Sequence, residues 1–102
     1  MNYNCKRWEH KRTAILKRDE YICQESKRYG KRVQANTVHH IFPAELYPEL
    51  AYEDWNLISL SNKQHNAMHI RDTHELTELG KKWQEKRREQ FEKWMNGVRH
   101  SE

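Results

Sequence analysis

Both prolines of the chain, Pro43 and Pro48, follow closely on a run of mostly β-branched residues, T-V-H-H-I at 37–41, and this placement limits the fold more than any other feature. Proline fixes φ and brings no N–H to a ladder, so it stops a strand. Thr37 to Ile41 is therefore a short strand. The connection behind it, P-A-E-L-Y-P-E-L-A-Y-E-D-W at 43–55, is long, acidic and aromatic, and N-L-I-S-L at 56–60 supplies a second short apolar strand. Two such strands make only a very small antiparallel sheet, so helices must supply the rest of the fold. A connection this long in a small domain is either functional or tied down by its own side chains.

The helices can be placed from apolar spacing. Trp8, Ile15 and Leu16 recur at helical intervals among charged residues, which predicts an amphipathic basic helix over about 6–19. Gly30 marks a turn in Y-I-C-Q-E-S-K-R-Y-G-K-R-V, a stretch suited to a small hairpin or loop. Ser61 reads as the N-cap of a helix of about ten residues, S-N-K-Q-H-N-A-M-H-I-R. Thr77 caps a final helix over about 77–95, with Leu76, Leu79, Trp83, Phe91, Trp94 and Met95 on its apolar stripe, and Gly97 ends it. The order helix, strand, loop, strand, helix, helix is an α+β arrangement.

At 102 residues the chain is expected to be one domain whose modest core would gain from a bound metal or a partner. No apolar run is long enough to span a membrane, and the first residues lack the apolar stretch of a secretory signal, which points to an intracellular, cytoplasmic protein. Cys5 and Cys23 are the only cysteines, so no disulfide framework is expected. Charge is uneven: residues 1–32 hold ten Lys/Arg against four acids, residues 33–62 hold four acids and no Lys/Arg, and the whole chain is +4. A basic front end suits a polyanion such as nucleic acid, although solvated helix faces would look the same.

Seven histidines are present, and four fall in two informative places. His65 and His69, four apart on the predicted short helix, project from one face and can reach a single metal ion. His39 and His40 alternate on a strand, so they leave on opposite faces and cannot both bind that ion. One can turn to the helix as a third ligand while the other stays near the site to handle a proton. Taken singly, either pair also fits an accident of surface spacing, or one buried and one exposed imidazole.

The strand with H-H, a loop, a second strand opening with Asn56, and a helix with H-x-x-x-H together resemble the HNH endonuclease family and its ββα-metal core. His65 and His69 stand 9 and 13 residues after Asn56, as in three-histidine members such as the nuclease colicins. V-H-H-I-F-P and N-L-I-S-L-S-N-K-Q-H-N-A-M-H resemble the compact HNH proteins of phages. The resemblance implies a core at about 37–72, a two-stranded antiparallel sheet plus a metal-binding helix, flanked by the N- and C-terminal helices. It makes His39, His65 and His69 metal ligands and His40 the general base, with Asn56 tying the loop between the strands and helping to orient that base. Many relatives also carry two C-x-x-C pairs for a structural zinc. The matching positions here are Cys23 with Ser26 and Ser61 with Gln64, so no structural zinc is expected.

The resemblance further implies hydrolysis of DNA phosphodiester bonds with one divalent ion, leaving 5′-phosphate and 3′-hydroxyl ends. Three imidazoles without a carboxylate favour Zn²⁺, Ni²⁺, Co²⁺ or Mn²⁺ over Mg²⁺. DNA contact is expected mainly at phosphates, through Lys6, Arg7, Lys11, Arg12, Lys17 and Arg18, with low sequence specificity and a strong salt dependence. The alternative is a non-catalytic DNA-binding or packaging accessory module with a structural metal, its acidic aromatic loop docked on a partner such as a phage terminase. Nicking and double-strand cleavage, and the oligomeric state, stay open.

Overall fold

In the computed structural model, which describes residues 2–73 and 75–100, the chain forms an α+β fold around a two-stranded antiparallel sheet. The first position and the last two of the expected 1–102 unit lie outside the described residues. Helix α1 (Lys6–Arg18) and the short α2 (Gln24–Lys27) precede strand β1 (Thr37–His40). Strand β2 (Leu57–Leu60) leads into α3 (Asn62–Ala67), and α4 (Glu78–Lys86) and α5 (Arg88–His100) close the chain. Among the described residues no helix is long and apolar enough to cross a membrane.

The register pairs Thr37 with Leu60, Val38 with Ser59, His39 with Ile58 and His40 with Leu57. Strand alternation then gives the sheet two different faces. Val38 and Leu57 pack with Trp8, Ile15, Leu16 and Ala35, so α1 covers one face. Ile58, Leu60 and the following Ile41 pack with Cys23, Phe42, Leu50, Met68 and Trp83, which places the C-terminal helices over the other. His40 belongs to the α1 face and His39 to the opposite one.

The long connection is ordered by its own turns and by packing against α5. It holds two 3₁₀ turns, Pro48–Leu50 and Asp54–Asn56, and Phe42 stacks on Phe91 of α5 at 4.3 Å between ring centroids. Asn56 closes the second turn and β2 begins at Leu57, one residue later than its sequence suggests.

Three helix boundaries differ from expectation. The helix begun by Ser61 ends at Ala67, so His69 lies beyond it, in an isolated bridge to Leu76. Met68 keeps helical backbone angles, which is why the spacing of four still brings His65 and His69 together. The stretch 77–95 is two helices broken at Arg87, whose side chain leaves the helix line to donate to Trp55 O at 3.1 Å and to lie over the Trp83 ring. Gly97 does not end the last helix, since α5 continues to His100.

Residues 19–36 carry the expected turn at Gly30, whose φ of +73° favours glycine, and add the short α2. The carboxylate of Glu25, buried under this turn, accepts from Trp83 Nε1 at 2.9 Å and pairs with Arg28 at 2.7 Å. One ionised side chain thereby fastens α2 to α4.

Candidate active site

A cleft of about 630 Å³ follows the free edge of β1 and is lined from both faces of the strand by Thr37, Val38, His39 and His40. His65 and His69 enter it from the α3 side, and Trp8 and Arg12 from α1. A two-stranded sheet leaves β1 open along one side. Side chains of opposite parity therefore reach one common space, although they leave the strand in opposite directions.

Within this cleft His39, His65 and His69 each present a ring nitrogen within 4.8 Å of the other two. His39 is 1% exposed, and burial, with the neighbouring imidazoles next, holds its pKa well below the ordinary histidine value. Burial, then His69, lowers His65 as well. Neutral imidazole is the metal-binding form. Among the described residues His39 Nε2 and His69 Nδ1 are buried and have no hydrogen-bond partner. Unpartnered buried nitrogens are costly unless something else binds them, and their convergence suits a divalent cation. Three nitrogen donors with no carboxylate in the cluster fit a borderline transition ion.

His40 is held differently. Its Nε2 donates to Ala51 O at 3.0 Å, which places the proton on Nε2 and leaves Nδ1 with a lone pair. Its ring stacks on Trp8 at 5.1 Å between centroids, with an interplanar angle of 21°. Burial lowers its pKa, partly offset by the Ala51 hydrogen bond, so the ring stays neutral below the pH at which a free histidine would protonate.

Asn56 is fully buried and fixes the loop that carries Ala51. Its Oδ1 accepts from Phe42 N at 2.7 Å, and its Nδ2 donates to Phe42 O and Leu50 O, both at 3.0 Å. Asparagine suits this position because one side chain both donates and accepts. Through Leu50 O it holds the residue before Ala51, and so the carbonyl on which the His40 tautomer depends.

The basic residues of α1 divide. Arg12 lines the cleft while donating to Asn36 O at 2.6 Å. Lys11 pairs with Asp54, Arg7 lies 3.8 Å over the Tyr52 ring, and Arg18 turns inward to Asp19, Asp54 O and Leu57 O. Lys6 and Lys17 are exposed. Trp8 and the Ala51 carbonyl are site groups that sequence reading did not single out. Trp8 lay on the expected buried stripe, whereas a backbone carbonyl leaves no trace in side-chain chemistry. At the four positions matched to a structural zinc, the buried Cys23 thiol is raised by burial but brought below its ordinary value by hydrogen bonds from Ser26 and Ser61. Gln64 N in turn donates to Ser61 Oγ.

No family model and no curated protein sequence matches the chain. Among solved structures it is similar to the HNH endonuclease of the deep-sea thermophilic bacteriophage GVE2, crystallised with manganese ion. The two are 34% identical, with a TM-score of 0.61, over 63% of this chain and 70% of that one. With identity at that level across most of the phage protein, and with histidines of β1 and α3 meeting beside a two-stranded sheet, the chain belongs to the HNH endonuclease family.

Proposed function

We propose that the chain is a single-domain, metal-dependent endonuclease that hydrolyses DNA phosphodiester bonds with low sequence specificity. The observation that carries this reading is one cleft holding three convergent imidazoles and a fourth, His40, held by other bonds. His39, His65 and His69 would hold one divalent ion, as manganese accompanies the GVE2 enzyme. When bound, such an ion supplies Lewis-acid polarisation of the scissile phosphate and stabilises charge on the departing oxygen.

The chain's own groups provide the remainder. His40 Nδ1 takes a proton from the attacking water, and its bond to Ala51 O stabilises the imidazolium that results. Asn56 and Trp8 hold that ring against the loop and α1, so little reorganisation accompanies proton transfer. Arg12 gives the cleft a fixed positive charge for a phosphate oxygen. Low specificity follows because phosphate contacts position a protein without reading bases. The acidic, aromatic connection at 43–55 offers a docking surface for a packaging partner such as a terminase.

The test is cleavage of supercoiled plasmid by the purified protein in EDTA and after restoring Mg²⁺, Mn²⁺, Ni²⁺ or Zn²⁺, beside His40→Ala. Metal-dependent nicking or linearisation that drops at least about 100-fold in His40→Ala, with metal binding retained, is the expected result. An undiminished His40→Ala protein would remove His40 as the base. Wild-type protein that binds DNA yet cuts it with none of these metals would replace the nuclease reading with an accessory role.

A further inference from the structure

Eight consecutive residues from Lys27 to Gln34 are exposed, and four of them, Lys27, Arg28, Lys31 and Arg32, are basic. Arg28 is committed to Glu25. Among the described residues the side chains of Lys27, Lys31 and Arg32 make no ion pair or hydrogen bond. Helix α1, the more obvious basic element, has by contrast spent Lys11 and Arg18 on internal partners.

The turn is also rigidly presented. Lys31 N donates to Ser26 O at 3.1 Å, Cys23 N to Val33 O at 2.7 Å and Ala35 N to Tyr21 O at 2.7 Å, while buried Glu25 ties its base to Trp83. Cations held on an ordered backbone lose less entropy when they engage a ligand than cations on a loose loop. Tyr29, 68% exposed at the tip, adds a hydroxyl of the kind phosphates accept from.

Position relates this patch to the cleft. Arg32 precedes Thr37, which lines the cleft, by five residues, so the two backbones are separated by at most about 18 Å. That is the rise of about five base pairs of duplex.

The geometry points to the 27–32 turn as a second, sequence-independent binding surface for duplex DNA. Its Arg32 end engages the phosphate backbone within about half a helical turn of the phosphate in the cleft. This rests on the nuclease reading for its choice of polyanion, but its evidence is the uncommitted charge and its spacing from the cleft. The turn would set how the duplex lies across the cleft, while the histidines act on one phosphate.

The test needs no cleavage. Affinity for a fluorescent duplex of about 24 base pairs, long enough to cover both surfaces, is measured in EDTA across a salt series. Wild type is compared with Lys27→Gln/Lys31→Gln/Arg32→Gln and with a variant of equal charge, Lys81→Gln/Lys82→Gln/Lys93→Gln on α4 and α5. Each phosphate contact contributes about 0.9 to the slope of log K against log salt, so the turn variant should lose about 2 to 3 from that slope and the second variant almost nothing. A turn variant with the wild-type slope, or equal losses in both variants, would overturn the proposal. So would wild type that does not bind duplex at all. Failure of the nuclease reading shows separately, as absence of plasmid cleavage with every metal.

Discussion

At the scale of single residues the setting of His40 depends on neighbouring side chains as much as on its own ring. Replacing Asn56 by Ala strands Phe42 N, Phe42 O and Leu50 O in a buried loop. At about 1–3 kcal/mol for each unsatisfied group, partly relieved by water, a loss of about 2–5 kcal/mol is expected as a lowered urea midpoint. Trp8 makes a sharper test because its indole lies flat on His40. Trp8→Ala should lower the single-turnover cleavage rate at saturating protein by about 10- to 100-fold, while Trp8→Phe, which keeps an aromatic face, recovers most of it. A loss that tracks only the fraction unfolded, measured by circular dichroism at the same temperature, would make Trp8 structural. Much of this level was readable in sequence, because histidine and asparagine declare their chemistry by type. The Trp8 and Ala51 partnerships were not, since they arise from how α1 and the loop fall across the β1 edge.

At the scale of elements, helix propensity and tertiary contact disagree at Gly80, in the first turn of α4. Propensity alone favours alanine over glycine by about 1 kcal/mol. A Cβ there would stand 2.7 Å from Met68 O and 2.9 Å from Leu76 Cδ2. Met68 O already accepts from Thr77 N, and Thr77 Oγ1 donates to Ala67 O, so α4 begins pressed against the end of α3. Gly80→Ala should therefore destabilise by about 1–3 kcal/mol and weaken metal binding, because the displaced carbonyl belongs to the residue before His69. A thermal scan and a metal titration check both parts, and a raised Tm with unchanged affinity would contradict the argument. The same contact shows why the boundaries were harder to read than the elements. The caps Ser61 and Thr77 announce where α3 and α4 start, as local chemistry at a helix N-terminus does. Their ends at Ala67 and Lys86 have no such signal, being set by the Leu76 bridge and by Arg87 reaching for Trp55.

At the scale of the whole molecule the histidines link fold, metal and pH. Among the described residues the sheet is two strands of four residues, and two of the four β1 side chains along the cleft are imidazoles. His39, His40 and His65 all have pKa values lowered by burial, so the unfolded chain binds more protons than the folded one once pH drops through the unfolded value of about 6.5. The sign follows directly: metal-free protein should keep its full stability above about pH 6.5 and lose it progressively as pH falls towards the lowered folded values. On the proposed function divalent metal would act in the same direction, since it would bind the neutral imidazoles of His39, His65 and His69 and compete with protons for them. At an ion concentration of about 100 times Kd the folded state gains about 2.7 kcal/mol, a gain that should be present at pH 7.5 and nearly absent at pH 5. Thermal scans of wild type in EDTA and in Mn²⁺ or Zn²⁺ at both pH values measure the two effects together, and His65→Ala should abolish most of the metal-induced rise. A metal-induced shift of equal size at pH 5 and pH 7.5 would mean that the ion is held by groups other than His39, His65 and His69.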